Sequence, residues 1–450
     1  GILLFFSFGR GLSILRYTMS SWTPDGESMG MTRCLLAVWL IVFAVLGCFL
    51  ARQRRGVEGT TVFLNIASLA LLLMPALELA HYGFKLRAVP HTTRAMDSER
   101  TPIGGAHGRP DIYYIVLDAY GRDDTLARIY GHDNRDFTDS LGRLGFFVAS
   151  ESCSNYAFTY LSLASSLNME YVNYLTTVVG AESRDRVLPY RMIRDNKVVQ
   201  FLKSRGYRYV HLASGCLWTE PNENADVNIQ CGVASEFTLA LVQTTVLGAQ
   251  PFPQSLLRKD ARRRVSDTFT TLERMAREPG PKFVFAHIIA PHPPFVFGSD
   301  GEHIQESEVQ MSGDVWKEKD LYVGQLKYVN QRVLSLVGTL LANSAMPPVI
   351  ILQADHGPWF GFTSKGIMDL SAPERVRESM RILNAYYVPP EGQRLLYASI
   401  SPVNSFRMVF NACLEAHFDL LEDRSYMSDW ETAPYQFTEV TKQVRGSASE

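Results

Sequence analysis

The sequence lacks several features that would fix its class at once. It carries no excess of one charge: 44 lysines and arginines stand against 46 acids, a net charge of −2. Nucleic-acid binders carry a basic surplus, so no nucleic-acid partner is expected. Cysteine is scarce, six in 450 residues, which excludes a small disulfide-built scaffold. There is no internal repeat and no low-complexity tract. With 46% hydrophobic residues the chain is not intrinsically disordered. Its length exceeds what one core usually holds, so at least two structural regions are expected.

Two stretches lack charge altogether. Residues 34–51 read CLLAVWLIVFAVLGCFLA and residues 60–77 read TTVFLNIASLALLLMPAL. A bilayer core takes about 20 apolar residues of helix, so the sequence predicts membrane spans at about 34–51 and 60–80. Between them Arg52, Arg54 and Arg55 crowd one short loop. The positive-inside rule places that loop in the cytoplasm and the rest of the chain outside, although Arg10 and Arg16 weaken the bias. Residues 2–8 (ILLFFSF) read as the tail of a further apolar helix, which implies earlier spans before residue 1. The mean hydropathy of −0.04 is thus an average over a multi-pass anchor (1–85) and a polar remainder. Four cysteines fall in that remainder, and Cys216 with Cys231 is the local candidate for a disulfide.

Residues 86–109 are rich in Pro, Gly and Thr and read as a linker. From residue 110 to about 415, short apolar runs alternate with amphipathic ones. DIYYIVLDAY, YRYVHLA, KFVFAHII, PPVIILQAD and RILNAYYVP read as strands, with helices between them. Such alternation predicts an α/β domain with a mostly parallel central sheet flanked by helices. Residues 416–450 are expected to pack on that domain or extend it. The run 237–249 reads as a core helix or a segment at the bilayer surface.

Ligands of open parallel sheets bind beyond the carboxyl ends of the strands. Asp118 ends one apolar run, His292 follows another shortly after its end, and Asp355 and His356 follow a third. Two carboxylates and an imidazole suit one divalent cation, Mn, Mg or Zn. Each alone is equally a turn or helix cap. Thr159 stands where SNYAFTYLSLASSLNMEYV turns from loop to helix. There it is either a nucleophile at the positive end of a helix or an ordinary N-cap. His287 lies inside a strand and reads as structural. The basic cluster Arg258 to Arg264 reads as a solvated face or a headgroup contact. Lys365 reads as a phosphate contact or a solvated loop residue.

PDIYYIVLDAYGRDD, TYLSLASSL, APHPPF and ILQADHG, in this order, resemble the alkaline phosphatase/sulfatase superfamily over roughly residues 110–415. The nearest branch is the membrane-anchored sulfatase-like transferases, lipoteichoic acid synthases and phosphoethanolamine transferases. The sulfatase nucleophile signature (Cys or Ser, any residue, Pro, any residue, Arg) is missing at Thr159–Leu163. The resemblance therefore implies an unmodified threonine, with Ser162 as fallback. It also implies that Asp118, Thr159, Asp355 and His356 hold the metal, and that His292 binds the phosphoryl group or protonates the leaving oxygen. His211 and Trp218 resemble a His…Trp pair lining the substrate pocket; packing at a strand end is the other reading. Glu220 stands where the lipoteichoic acid synthases have arginine, which speaks against glycerol phosphate as the transferred group. The implied substrate is a lipid-linked or glycan phosphodiester. Transfer or hydrolysis of a phospho-group is the leading expectation, beside sulfate-ester hydrolysis and an inert binding module.

Overall fold

The computed structural model describes residues 28–52, 59, 61–62, 65–66, 109–233, 241–242, 245, 251–304, 316, 318–360, 372–430 and 432–446. The chain divides into two compact units. One comprises Gly1–Arg94 with Phe237–Leu256, and the other Ala95–Glu236 with Leu257–Glu450. The run 237–249 therefore groups with the N-terminal segment, not with the sheet domain. The linker 86–109 lies almost wholly outside the described residues, as do Lys365 and most of the second expected span.

In the first unit, helix Ser28–Arg52 contains the uncharged run 34–51. Its Leu40, Ile41, Phe43, Val45 and Phe49 side chains are all exposed. Among the described residues, no helix is long and apolar enough to cross a membrane.

The second unit is built on a seven-stranded sheet in the order β2-β7-β6-β1-β5-β3-β4. Its strands are β1 (Ile112–Leu117), β2 (Phe147–Val148), β3 (Arg208–Ala213), β4 (Val227–Gln230), β5 (Lys282–Ile288), β6 (Val349–Gln353) and β7 (Asn384–Tyr387). β1 lies between β5 and β6, parallel to both, and β3 is parallel to β5 and β4. β7 runs antiparallel to β6 and pairs the two-residue β2 at the edge. All residues of β1, β5 and β6 are buried. Helices cover both faces of a parallel sheet, so its strands read as continuous apolar runs instead of alternating. Two cores result. Tyr113, Ile115 and Leu117 join one face; Ile112, Tyr114 and Val116 join the other.

A second small sheet pairs β8 (Tyr426–Asp429) with β9 (Ala433–Glu439). It belongs to residues 416–450 and is sewn to the segment before helix Thr159–Asn168. Tyr426 N–H donates to Asn155 O (2.9 Å) and Ser425 Oγ to Ser154 O (2.8 Å). The disulfide expected between Cys216 and Cys231 is not formed; neither cysteine is part of a disulfide. Arg264 takes the space beside their neighbours: a Cβ on Gly215 would come within 2.6 Å of its guanidinium, and one on Gly232 within 3.2 Å of its side chain.

At the amino ends of β1 and β5 a charge pair is sealed in. Lys282 is wholly buried, and its Nζ bonds Asp111 and the Glu278 carbonyl. Removing one partner of a buried pair leaves the other charge uncompensated, at a cost of about 3–5 kcal/mol. Asp111→Ala is expected to lose about that much in urea unfolding, and adding Lys282→Met should recover most of it. A single-variant loss below about 1 kcal/mol, the range of exposed pairs, would refute this account of the sheet's lower edge.

Candidate functional site

The site lies where β1, β5 and β6 end side by side. Asp118 follows β1, and its N–H donates to Ile288 O (3.0 Å) on β5. Ala119, at φ 60°, donates its N–H to Asp355 Oδ1 (3.2 Å) beyond β6. His292 N–H donates to Asp118 O (3.1 Å). The three strand-end loops are thus cross-tied through the backbone.

Both carboxylates divide their oxygens alike. Asp355 Oδ1 accepts from Ala119, while Asp118 Oδ2 has His287 Nε2 at 3.3 Å. The other two oxygens, Asp118 Oδ1 and Asp355 Oδ2, are buried and accept no hydrogen bond among the described residues. Each lies 3.5 Å from His356 Nε2. His356 Nδ1 is 2.8 Å from Gly357 O, so Nδ1 carries the proton and Nε2 presents a bare lone pair. Thr159 Oγ1 is 3.3 Å from the same nitrogen. Two buried carboxylate oxygens that accept no hydrogen bond, both beside one imidazole nitrogen, are the kind of cluster a cation compensates. Donors bound at about 2.0–2.2 Å in a tetrahedral shell stand about 3.3–3.6 Å apart. The observed spacings of 3.3, 3.5 and 3.5 Å fall in that range.

Asp118, His287 and Asp355 also offer ligand atoms within 4.8 Å of one another. His287 is less apt as a ligand, because its two nitrogens already face Asp118 Oδ2 (3.3 Å) and Thr219 Oγ1 (3.0 Å). Burial raises the Asp118 carboxyl, but His292, His287 and His356 outweigh it and hold the group well below the usual carboxylate range. The residues present therefore fit a divalent cation held by Asp118, Asp355, His356 and Thr159.

Thr159 is the first residue of helix Thr159–Asn168. The N-cap is Phe158, which is extended and contributes no side-chain bond. The N-cap reading of Thr159 is thus set aside, and the uncapped helix start keeps its positive end toward the site. Ser162 is buried and donates to Asp355 O (2.7 Å), which engages the fallback hydroxyl in the metal loop. Gly357 is required by space, since a Cβ there would lie 2.1 Å from Glu378 O.

His292 donates from Nδ1 to Pro293 O (2.5 Å), which turns Nε2 outward; its ring centre is 6.4 Å from that of His356. An aromatic arc borders the centre. Trp359 stacks on His356 (4.7 Å), Phe158 meets Trp359 and Trp430, and Tyr160 meets Trp430 and Trp218. Arg186 lies 3.6 Å over the Trp430 ring. Trp218 thus stands at the end of this arc. His211 does not join it: Nε2 donates to the Thr219 and Glu220 carbonyls (3.2 and 3.1 Å), and Nδ1 accepts from Tyr209 Oη (3.1 Å). With both nitrogens engaged, His211 holds the turn that carries Trp218. Sequence reasoning missed His287, Trp359, Trp430 and Arg186. A histidine in the last turn of an otherwise apolar strand, level with the strand ends, is the one signal that was available.

Burial pushes the His211 imidazole down to about 4, against about 6.5 in an unfolded chain. The fold holds it neutral, so its contribution is intact above pH 6.5. Acidification then protonates the unfolded chain first. Stability is expected to fall by about 3 kcal/mol between pH 6.5 and 4 on account of this one group. Urea unfolding across that range should show a shallower pH dependence for His211→Gln; parallel curves would overturn the assignment.

No family model matches the sequence, and neither does any curated protein. Among solved structures, the chain is similar to the C-terminal periplasmic domain of EcEptC from Escherichia coli in complex with zinc. The two share 11% identity over 76% of this chain and 97% of that one, with a TM-score of 0.48. It is also similar to the lipooligosaccharide phosphoethanolamine transferase A of Neisseria meningitidis, an integral membrane protein (14% identity, 91% and 79% covered, TM-score 0.44). A third is the phosphonate monoester hydrolase of Agrobacterium radiobacter (13%, 71% and 80%, 0.44).

Proposed function

We propose that the protein is a metal-dependent phosphoryl-transfer enzyme that works through a phosphothreonine at Thr159. The observation that carries this reading is that Asp118 Oδ1, Asp355 Oδ2 and Thr159 Oγ1 each approach His356 Nε2, at 3.5, 3.5 and 3.3 Å. A hydroxyl beside a divalent cation and at the start of a helix is placed to act as a nucleophile.

A divalent ion bound there, Zn, Mn or Mg, supplies positive charge to the threonine oxygen and to the phosphoryl oxygens. The chain's own residues do the rest. Thr159 Oγ1, its proton released to solvent and returned when the phosphoryl group later leaves it, attacks phosphorus as the bond to the leaving oxygen breaks, and the helix start offers its N–H groups to the phosphoryl oxygens. His292, with Nε2 turned outward, gives a proton to the leaving oxygen. The acceptor, a hydroxyl or water, passes its proton back to His292 and displaces the phosphoryl group from Thr159. Trp218, Tyr160 and Trp430 flank the path by which leaving group and acceptor come and go.

The donor we assign is a lipid-linked or glycan phosphodiester on the extracytoplasmic side. The uncharged run 34–51 supports this, together with the exposed apolar face of Leu40, Ile41, Phe43, Val45 and Phe49. That face fits an N-terminal membrane anchor.

Three outcomes are expected. With a chromogenic phosphodiester, Thr159→Ala should lose about a thousand-fold or more in kcat, while its thermal melt stays near wild type. Mass spectrometry after incubation with donor should find phosphate on Thr159; phosphate on Ser162, or turnover of a sulfate ester alone, would refute the reading. Chelation should abolish turnover, and Zn or Mn should restore it in the wild type but not in Asp355→Asn. Activity that survives exhaustive chelation would remove the metal from the proposal.

A further inference from the structure

His287 has no place in the chemistry above, yet it lies buried at the centre of the site. On one side its Nε2 is 3.3 Å from Asp118 Oδ2, the oxygen turned away from the metal centre. On the other, its Nδ1 is 3.0 Å from Thr219 Oγ1. Thr219 directly follows Trp218, and its Oγ1 is 2.6 Å from Ser214 Oγ. Ser214 Oγ in turn accepts the Cys216 N–H at 3.1 Å. The proton positions follow from the two ends. Cys216 N–H can only donate and the Asp118 carboxylate can only accept. Each hydroxyl therefore donates toward the imidazole, and Nε2–H points at Asp118. The result is a one-directional chain of hydrogen bonds, backbone to Ser214 to Thr219 to His287, which sets the imidazole's Nε2 at 3.3 Å from Asp118 Oδ2.

We propose that His287 is a positioning residue with two linked tasks, resting on the function proposed above. It holds Asp118 so that Oδ1 faces the metal, and it ties that carboxylate to the turn that presents Trp218 to the substrate. His211 grips the same turn from the other face through the Thr219 and Glu220 carbonyls. The Trp218 turn is thus registered against the metal centre by side chains of two neighbouring strands, β3 and β5. Metal retention and substrate placement become coupled through one imidazole.

The two tasks separate by mutation. Outer-shell partners of metal ligands are worth about 10–100-fold in metal affinity. In the full chain, His287→Ala should weaken Zn or Mn binding by that factor and also raise KM. His287→Gln, whose amide nitrogen reaches the Nε2 position but cannot accept from Thr219, should restore most of the metal affinity and leave KM raised. Thr219→Val, which cuts the chain beyond the imidazole, should raise KM with metal affinity within about three-fold of wild type, since the partner of Asp118 is kept. Metal affinity is read by calorimetry with the ion alone, and KM with the chromogenic diester at saturating metal. Thermal melts of the three variants check folding, and His287→Gln carries the test if His287→Ala fails to fold. Wild-type metal affinity in His287→Ala, or a drop in His287→Gln equal to that in His287→Ala, would overturn the proposal. So would an unchanged KM in Thr219→Val. If the wild type binds no divalent ion, or binds it equally well as Asp355→Asn, it is the underlying site reading that fails, and this inference with it.

Discussion

Two buried carboxylate oxygens, each 3.5 Å from one imidazole nitrogen, set the terms for everything around them. Asp118 Oδ1, Asp355 Oδ2 and the bare Nε2 of His356 repel in the absence of a cation. A site of this kind is held only if every supporting bond is made elsewhere. The protein meets that condition with its backbone: Ala119 N–H fixes Asp355, Ile288 O fixes the Asp118 amide, and Ser162 Oγ holds the Asp355 carbonyl. The second oxygen of each carboxylate is occupied so that the first can remain available.

The sheet order supplies the geometry. Because β1 sits between β5 and β6 and all three are parallel, their carboxyl ends open on one edge about 5 Å apart, the spacing of neighbouring strands. Residue 118, the pair 287 and 292, and the pair 355 and 356 lie far apart in sequence and meet here for that reason. Thr159, the proposed nucleophile, comes from elsewhere, at the uncapped start of helix Thr159–Asn168. It enters the same edge with its hydroxyl toward the cation site and its helix dipole favouring an anion.

Much of this was legible in the residues. The apolar runs at 112–117, 282–288 and 349–353 marked strands because burial on both faces leaves no room for polar alternation. Chemistry at their ends then followed from topology. His287 was not legible for the same reason. In a strand buried on both sides no periodicity tells a side chain that packs from one that meets a carboxylate, and only the register Val116 with His287 brings it level with the end of β1. The two members of the His…Trp pair part in the fold: Trp218 meets Tyr160, and His211 bonds the carbonyls of the turn that carries it. The expected Cys216–Cys231 pair failed because sequence distance says nothing about an arginine placed from a helix fifty residues later. Trp430 and Arg186 gave no signal, since an aromatic ring and a cation far apart in sequence show no pattern until a fold stacks them.

The hairpin that carries Trp430 has a consequence in time as well as in space. Asp118, Thr159, His292, Asp355 and His356 have all been synthesised by residue 356, but the segment bonded to Ser154 and Asn155 and stacked under Arg186 begins at residue 425. A chain emerging from the ribosome holds every group that could grip a cation some seventy residues before it holds the wall beside the nucleophile. Order of synthesis thus puts the strand-end groups into the chain well before the segment that walls the start of helix Thr159–Asn168.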